Sequence, residues 1–301
     1  MSPEQAFKTG RPVTAISPTA AANNGEGTVP SFSEFFCDVE RDVSLAGAQC
    51  GDRNGEAIVL LHGYSDSWRS YRPLMSELPG SKHLVALSMR GHGDSSKPDG
   101  PYGTEIMARD VQRVMDQLDI DRAVVVGHSM GSLVAQRLAQ DSPERVSRLV
   151  LIGAFASLKG NPDVDALWRD AIDRLVDPVD PGFVRDFQTS TLARPVPAGF
   201  LDGVVAESLK LPAHVWRNAL KAVMQEDRSA LLDRVTAETR IIWGDRDAFC
   251  SRAEQERLVR SIAKARLITY HGTGHSPHWE EPARAAADIV EAEAPIVHRA
   301  A

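Results

Sequence analysis

The sequence is poor in cysteine. Three occur in 301 residues (Cys37, Cys50 and Cys250), and none forms a C-x-x-C pair. An odd count without ligand spacing argues against a disulfide framework or a structural zinc site and reads as packed, reduced thiols. A Cys37–Cys50 bridge stays open at this point. The chain also lacks an apolar stretch long enough to span a bilayer. It lacks any surplus of positive charge: 34 Lys and Arg stand against 41 Asp and Glu, a formal net charge of −7. An acidic surface makes phosphate backbones and anionic lipid poor partners, so neither nucleic acid nor a membrane is expected. Residues 1–30 contain no continuous apolar run of the kind a secretory signal needs, which makes the cytoplasm the default location. Their Ala, Pro, Thr, Asn and Gly content reads as a flexible N-terminal arm.

What is present is ample material for a core, with 43% hydrophobic and 25% charged residues. This suits one large α/β domain with room for an insert. Short apolar runs at 57–61, 83–87, 123–126 and 149–152 suit strands buried on both faces. Two further strands are expected at 33–38 and 43–48, and two more at 240–243 and 266–270. Helical patterns fall between them, at 67–78, 106–118, 130–140, 252–261 and 282–292. This alternation predicts a mostly parallel central sheet with helices on both faces. The connection from 152 to 240 is far longer than a crossover requires. It holds helical segments at 164–176, 181–189, 200–209 and 213–224, punctuated by prolines. The expected organisation is therefore a core of 31–153 and 237–297, with a helical cap insert of 154–236 over the C-terminal edge of the sheet, where ligands bind in open α/β sheets.

The chemistry concentrates in loops after strands. Gly127-His128-Ser129-Met130-Gly131 fits G-x-S-x-G between an apolar strand and a helix, the setting of a nucleophile elbow. A serine hydroxyl needs a base. Of nine histidines, His275 stands just after the last expected strand, in Gly272-Thr273-Gly274-His275. The base in turn needs a carboxylate to fix its tautomer. Trp243-Gly244-Asp245-Arg246-Asp247 supplies two candidates after another strand. Asp247 lies deeper in the loop and is favoured, while Asp245 suits pairing with Arg246 or capping of the turn. The oxyanion hole is expected at the backbone N–H groups of Met130 and Tyr64. Tyr64, His128, Phe155, Trp168, Trp216 and Phe249 are candidate substrate-lining residues, although core packing would also account for most of the aromatics. His62 and His92 are expected to orient loops. His271, His275 and His278 do not match a metal-ligand pattern, and no metal is expected.

Taken together, His62-Gly63-Tyr64-Ser65-Asp66-Ser67-Trp68, Arg90-Gly91-His92-Gly93-Asp94-Ser95, Gly127–Gly131, Gly244–Asp247 and Gly274-His275 with Glu281-Pro282 resemble the α/β-hydrolase superfamily, in particular esterase-like enzymes with a helical cap. One departure is Ser132, where many relatives carry another glycine. The resemblance implies a doubly wound sheet, a Ser-His-Asp triad and no cofactor. It points to hydrolysis of a small-molecule ester or lactone of small to medium size through an acyl-enzyme. The same triad also serves C–C bond hydrolysis, perhydrolysis and amide cleavage, and some similar proteins are slow-turnover sensors. A serine at the elbow sets the chain apart from the epoxide hydrolases and haloalkane dehalogenases of this fold, which carry aspartate there. Oligomeric state is not encoded in these motifs, and a homodimer is compatible with them.

Overall fold

Strand after strand in this chain is apolar on both faces, and a sheet of that kind must be covered on both sides. In the computed structural model, which describes residues 31–291 and the backbone pair Thr14–Ala15, the sheet is so covered. The elements follow in the order β1 (Thr14–Ala15), β2 (Ser33–Glu40), β3 (Val43–Gly51), β4 (Ala57–Leu61), α1 (Arg72–Glu77), β5 (His83–Leu87), α2 (Thr104–Gln117), β6 (Ala123–His128), α3 (Met130–Asp141) and β7 (Val146–Ile152). Four helices come next: α4 (Pro162–Asp170), α5 (Pro181–Ser190), α6 (Ala198–Ser208) and α7 (Ala213–Gln225). The chain ends with β8 (Glu238–Gly244), α8 (Arg252–Ser261), β9 (Ala265–Tyr270), α9 (Pro277–Glu280) and α10 (Pro282–Val290).

The nine described strands form one sheet in the order β1-β2-β3-β5-β4-β6-β7-β8-β9. Pairing is antiparallel from β1 to the β3–β5 edge and parallel from β5 onward. Alternation along β4 shows how the faces divide. Val59 and Leu61 join the cluster that includes Val111, Val114 and Leu133 of α2 and α3. Ile58 and Leu60 join the cluster that includes Leu74 of α1 and Ile289 of α10. Fully burying such a side chain stabilises the fold by about 1.5–3 kcal/mol.

Register decides where the connecting loops emerge. Leu61 pairs with Leu87 and Gly127, and Ile152 with His128 and Ile242. The parallel strands therefore end level, and the loops after β4, β6, β8 and β9 emerge along one edge.

The expected elements are present with shifted ends. The helical pattern at 164–176 is broken: α4 stops at Asp170, Ala171 leaves helical geometry, and Ile172–Arg174 form a single tight turn. Ile172 is fully buried, and its packing overrides helix continuation. Asn161 caps α4 by accepting from the Asp163 and Val164 amides, and Asp180 caps α5 through the Phe183 amide. The chain between β7 and β8 is pinched at its base by a bridge between Ser157 and Asp227. Of the N-terminal segment, only Thr14–Ala15 is described, paired with Phe36 and Phe35 of β2. The flexible-arm expectation otherwise falls outside the described residues, as does the expected core segment beyond 291. All three cysteines are free and buried, so the Cys37–Cys50 bridge is not formed. No helix among the described residues is long and apolar enough to cross a membrane.

Candidate active site

The turn from β6 into α3 is sharp enough to place Ser129 at φ 50°, ψ −116°, a conformation that a side-chain-bearing residue adopts only under strain. Its amide is fixed to the Ile152 carbonyl at 3.0 Å. The turn works only because Gly131 lets α3 lie on the end of β4, since a Cβ there would stand 2.2 Å from the Leu61 carbonyl oxygen. Met130 is the first residue of α3, so its N–H has no intrahelical partner.

The loop after β4 closes on this turn. A Cβ on Gly63 would be 3.4 Å from Ser129 Cβ and 2.7 Å from His128 Nδ1, so only glycine permits this approach. His62 ties the loop down. Its Nδ1 faces the Gly63 carbonyl at 2.7 Å, and its Nε2 accepts from the Met89 amide at 2.9 Å. Nε2 as acceptor fixes a neutral ring, and burial, reinforced by neighbouring His92, holds its pKa well below the ordinary imidazole value. His92 Nδ1 meets the Arg90 carbonyl at 2.9 Å. Both histidines thus orient loops, as expected.

On the loop after β9, His275 Nδ1 lies 2.9 Å from Asp247 Oδ2. The Asp247 side chain is fully buried, and its Oδ1 accepts from the Phe249 and Cys250 amides at 2.8 and 2.9 Å. With one carboxylate oxygen clamped by the backbone, the other is aimed at the imidazole. A carboxylate at Nδ1 favours the tautomer that leaves Nε2 free to take a proton. Asp245 is used otherwise: it accepts from Gly272 N–H at 2.6 Å and faces His271 Nδ1 at 2.9 Å, capping the turn. Its partner is His271 rather than Arg246.

Ser129 and His275 line one cavity of about 60 Å³, with Tyr64, His128, Met130, Phe155 and Phe249 of the expected set. Two expected lining residues do not reach it. Trp216 is fully buried one layer back, edge-on to Tyr64 at 5.3 Å and accepting the Tyr64 hydroxyl on its carbonyl at 2.7 Å. Trp168 packs partly buried against the main core instead. His128 lines the wall wedged between rings, 4.5 Å from His278 and 5.1 Å from His275. Burial and then the adjacent His278 and His275 keep it neutral.

Sequence reasoning missed the lining residues Leu158, Val164, Leu167, Leu220 and Val223, along with Asp66, Gln188 and Thr191. The apolar ones come from the insert, where helical spacing alone does not say which face meets the sheet. Asp66 was legible as an acid between a buried strand and a buried helix turn. The Thr191 carbonyl accepts the His275 amide at 2.8 Å, so the insert also braces the histidine loop.

Asp247, Cys250 and His275 have potential metal-ligand atoms within 4.8 Å of one another. Their chemistry is already committed, however. The Cys250 thiol faces the Gly153 carbonyl at 3.4 Å, and burial, then Asp247, pushes its pKa well above the ordinary thiol value. It stays protonated and is a poor ligand. His271 is exposed and paired with Asp245.

Residues 56–199 match the family described as the alpha/beta hydrolase fold. A hydrolase from Pseudomonas aeruginosa PA01 superposes with a TM-score of 0.74 at 25% identity, covering 90% of this chain and 100% of that one. The chain has the α/β-hydrolase fold. This hydrolase is 28% identical to 2-hydroxymuconate semialdehyde hydrolase of Pseudomonas sp. strain CF600, over 82% of this chain and 91% of that protein. It is 27% identical to a pimeloyl-[acyl-carrier protein] methyl ester esterase of Neisseria meningitidis serogroup A, over 78% and 76%. Its relatives thus include both an esterase and a hydrolase of a different substrate class.

Proposed function

We propose that this hydrolase cleaves carboxylic esters or lactones through an acyl-enzyme on Ser129. The observation that carries this reading is the strained Ser129 opening α3 in the same cavity as His275, whose Nδ1 is held by the buried Asp247. His275 Nε2 takes the Ser129 proton as the hydroxyl attacks the carbonyl carbon. The Met130 and Tyr64 N–H groups receive the charge that develops on the oxygen; one such donor is worth about 3 kcal/mol of barrier. His275 then protonates the leaving alcohol. Water attacks the acyl-enzyme by the same route in reverse and frees the acid. The helical insert of 154–236 acts as a cap that screens the acyl group. A cavity of about 60 Å³ has space for roughly four to six water-sized groups, which favours short acyl chains.

Hydrolysis of a C–C bond is the second reading, favoured by the muconate semialdehyde hydrolase relative. That substrate class carries a carboxylate. The described residues that line the cavity include no Lys or Arg but do include Asp66, which supports a neutral ester instead.

The test is a p-nitrophenyl ester series from acetate to decanoate, with wild type and Ser129→Ala. Turnover of short esters that disappears in the variant is expected. Full activity in Ser129→Ala would overturn the reading. A wild type inert toward every ester yet active on a 2-hydroxy-6-oxodienoate would favour C–C cleavage.

A further inference from the structure

Behind one wall of the small cavity that holds Ser129 lies a second, larger space. It is a groove between α6 of the insert and the core segment made by the tight turn Trp68–Tyr71 and the start of α1. The groove measures about 390 Å³, against about 60 Å³ for the cavity. Its lining is mainly apolar, with Phe32, Pro73, Phe200, Val204 and Ala206. Of its charged residues, Arg69 and Glu207 pair with each other at 3.3 Å, and the Arg72 guanidinium lies over the Phe32 ring at 5.3 Å.

One pair of side chains separates the two spaces at each of two places. Ser70 lines the groove and Asp66 the cavity, and the serine hydroxyl lies within hydrogen-bonding reach of the carboxylate. Both residues are buried, so this part of the wall is polar and closed. The other place is closed by ring packing. Phe200 lines the groove and Trp279 the cavity, and their rings meet edge to face at 5.6 Å. Trp279 is buried, but Phe200 is only half-buried, so turning its ring into the groove exposes little new surface.

Resting on the acyl-transfer reading, we propose that the groove is a second acyl subsite and that Phe200 is its gate. An acyl chain longer than the cavity displaces the Phe200 ring from Trp279 and lays its tail along the groove. The occupant is an unbranched aliphatic tail: the space continues the catalytic cavity, and each methylene that leaves water for an apolar lining strengthens binding. With the gate shut the enzyme prefers short acyl groups. Phe200 is thus a specificity-determining residue and takes no part in the chemistry.

Phe200→Ala removes the gate, and Gly203→Leu fills the groove. Gly203 lines the groove, and a Cβ there meets nothing within 4 Å. Leucine also favours a helix over glycine, so that variant keeps its fold. kcat/KM is measured for p-nitrophenyl butyrate and octanoate in wild type, both single variants and the double variant. Phe200→Ala is expected to raise the octanoate-to-butyrate ratio by about tenfold or more, and adding Gly203→Leu to return it to within about threefold of wild type with butyrate unchanged. An unchanged ratio in Phe200→Ala overturns the proposal. So does a raised ratio that Gly203→Leu leaves in place, because the tail then lies elsewhere. If Phe200→Ala fails to fold, Phe200→Leu carries the same comparison with a smaller opening. Calorimetric titration of the octanoate ester into Ser129→Ala, alone, with Phe200→Ala and with both substitutions, reads the subsite without turnover. The same rise and reversal are expected in affinity, and equal affinity throughout overturns the proposal. Failure of the acyl-transfer reading is visible separately, as butyrate turnover that survives Ser129→Ala.

Discussion

The edge of the sheet and the helical insert above it build the same cavity by opposite means. At the sheet edge the groups assigned to the chemistry are fixed by backbone. Ser129 is held by a strained turn, Asp247 by two amides, and His62 by one amide and one carbonyl. In the insert the wall is made by packing. Phe187 and Trp216 stand edge-on to Tyr64 at 5.7 and 5.3 Å, and leucines and valines from α4 and α7 fill the space between. Backbone-fixed groups tolerate almost no displacement, because a hydrogen bond weakens steeply with angle and distance. A packed apolar wall can change shape by a methylene or two at modest cost. On the proposed acyl-transfer reading this separates chemistry from selectivity: the edge would set which bond is attacked, and the insert which acyl group fits.

Substitutions on the two sides should therefore differ in kind. The largest effect is expected at the nucleophile. Ser129→Ala should lower kcat on p-nitrophenyl butyrate by about 10⁴-fold or more, with KM little changed. Asp247→Asn comes next, at about 10³–10⁴-fold in kcat. Its side-chain oxygen would keep the Phe249 and Cys250 amides and so present NH₂ to His275, which forces the wrong tautomer. If either change altered chain-length preference while sparing kcat, the division between edge and insert would be wrong.

The third prediction concerns pH and belongs to the buried rings at the edge. Burial, reinforced by His275, pushes His278 down to about 3 from the ordinary 6.5, and both of its ring nitrogens lack partners among the described residues. A folded-state value below the unfolded one means that the unfolded chain binds the proton first. Stability is then present above about 6.5 and is lost as pH falls toward 3. For this one group the loss between pH 7 and pH 5 is about 2 kcal/mol. His278→Phe should make the fall in unfolding free energy between those pH values, read from urea titrations, shallower by that amount. An unchanged acid slope would show that the ring is not held neutral in the folded chain.

The smallest effect is expected in the insert. Leu167→Ala, at a partly buried lining position on α4, should shift the acyl optimum to longer esters by a few-fold in kcat/KM. Its stability cost should stay at or below about 2 kcal/mol, the low end for such truncations. A loss of kcat on every ester alike, read across the same series, would mean that the insert positions the chemistry as well as the acyl group. The bond between Thr191 and the His275 amide makes that a sharp question.

The sheet, the elbow and the loops that carry His275 and Asp247 were legible in the sequence, because each depends on local signals. Apolar runs mark strands buried on both faces, glycines mark close approaches, and a short loop after a parallel strand can only emerge at one edge. The sequence could separate Asp247 from Asp245 by loop depth, and the two-amide clamp on Asp247 agrees with that choice. It could not say that α4 would stop at Asp170, that Trp216 would stand behind Tyr64 rather than in the cavity, or that Leu220 and Val223 would face inward. Those outcomes depend on how four short helices settle against one another and against the sheet, and helical periodicity carries no information about a partner's position. Nor could it show that Phe200 and Trp279, far apart in the chain, would meet edge to face between the cavity and the groove beside α6. Two side chains share a wall only once the insert is seated on the sheet, and that seating is made by the tertiary structure.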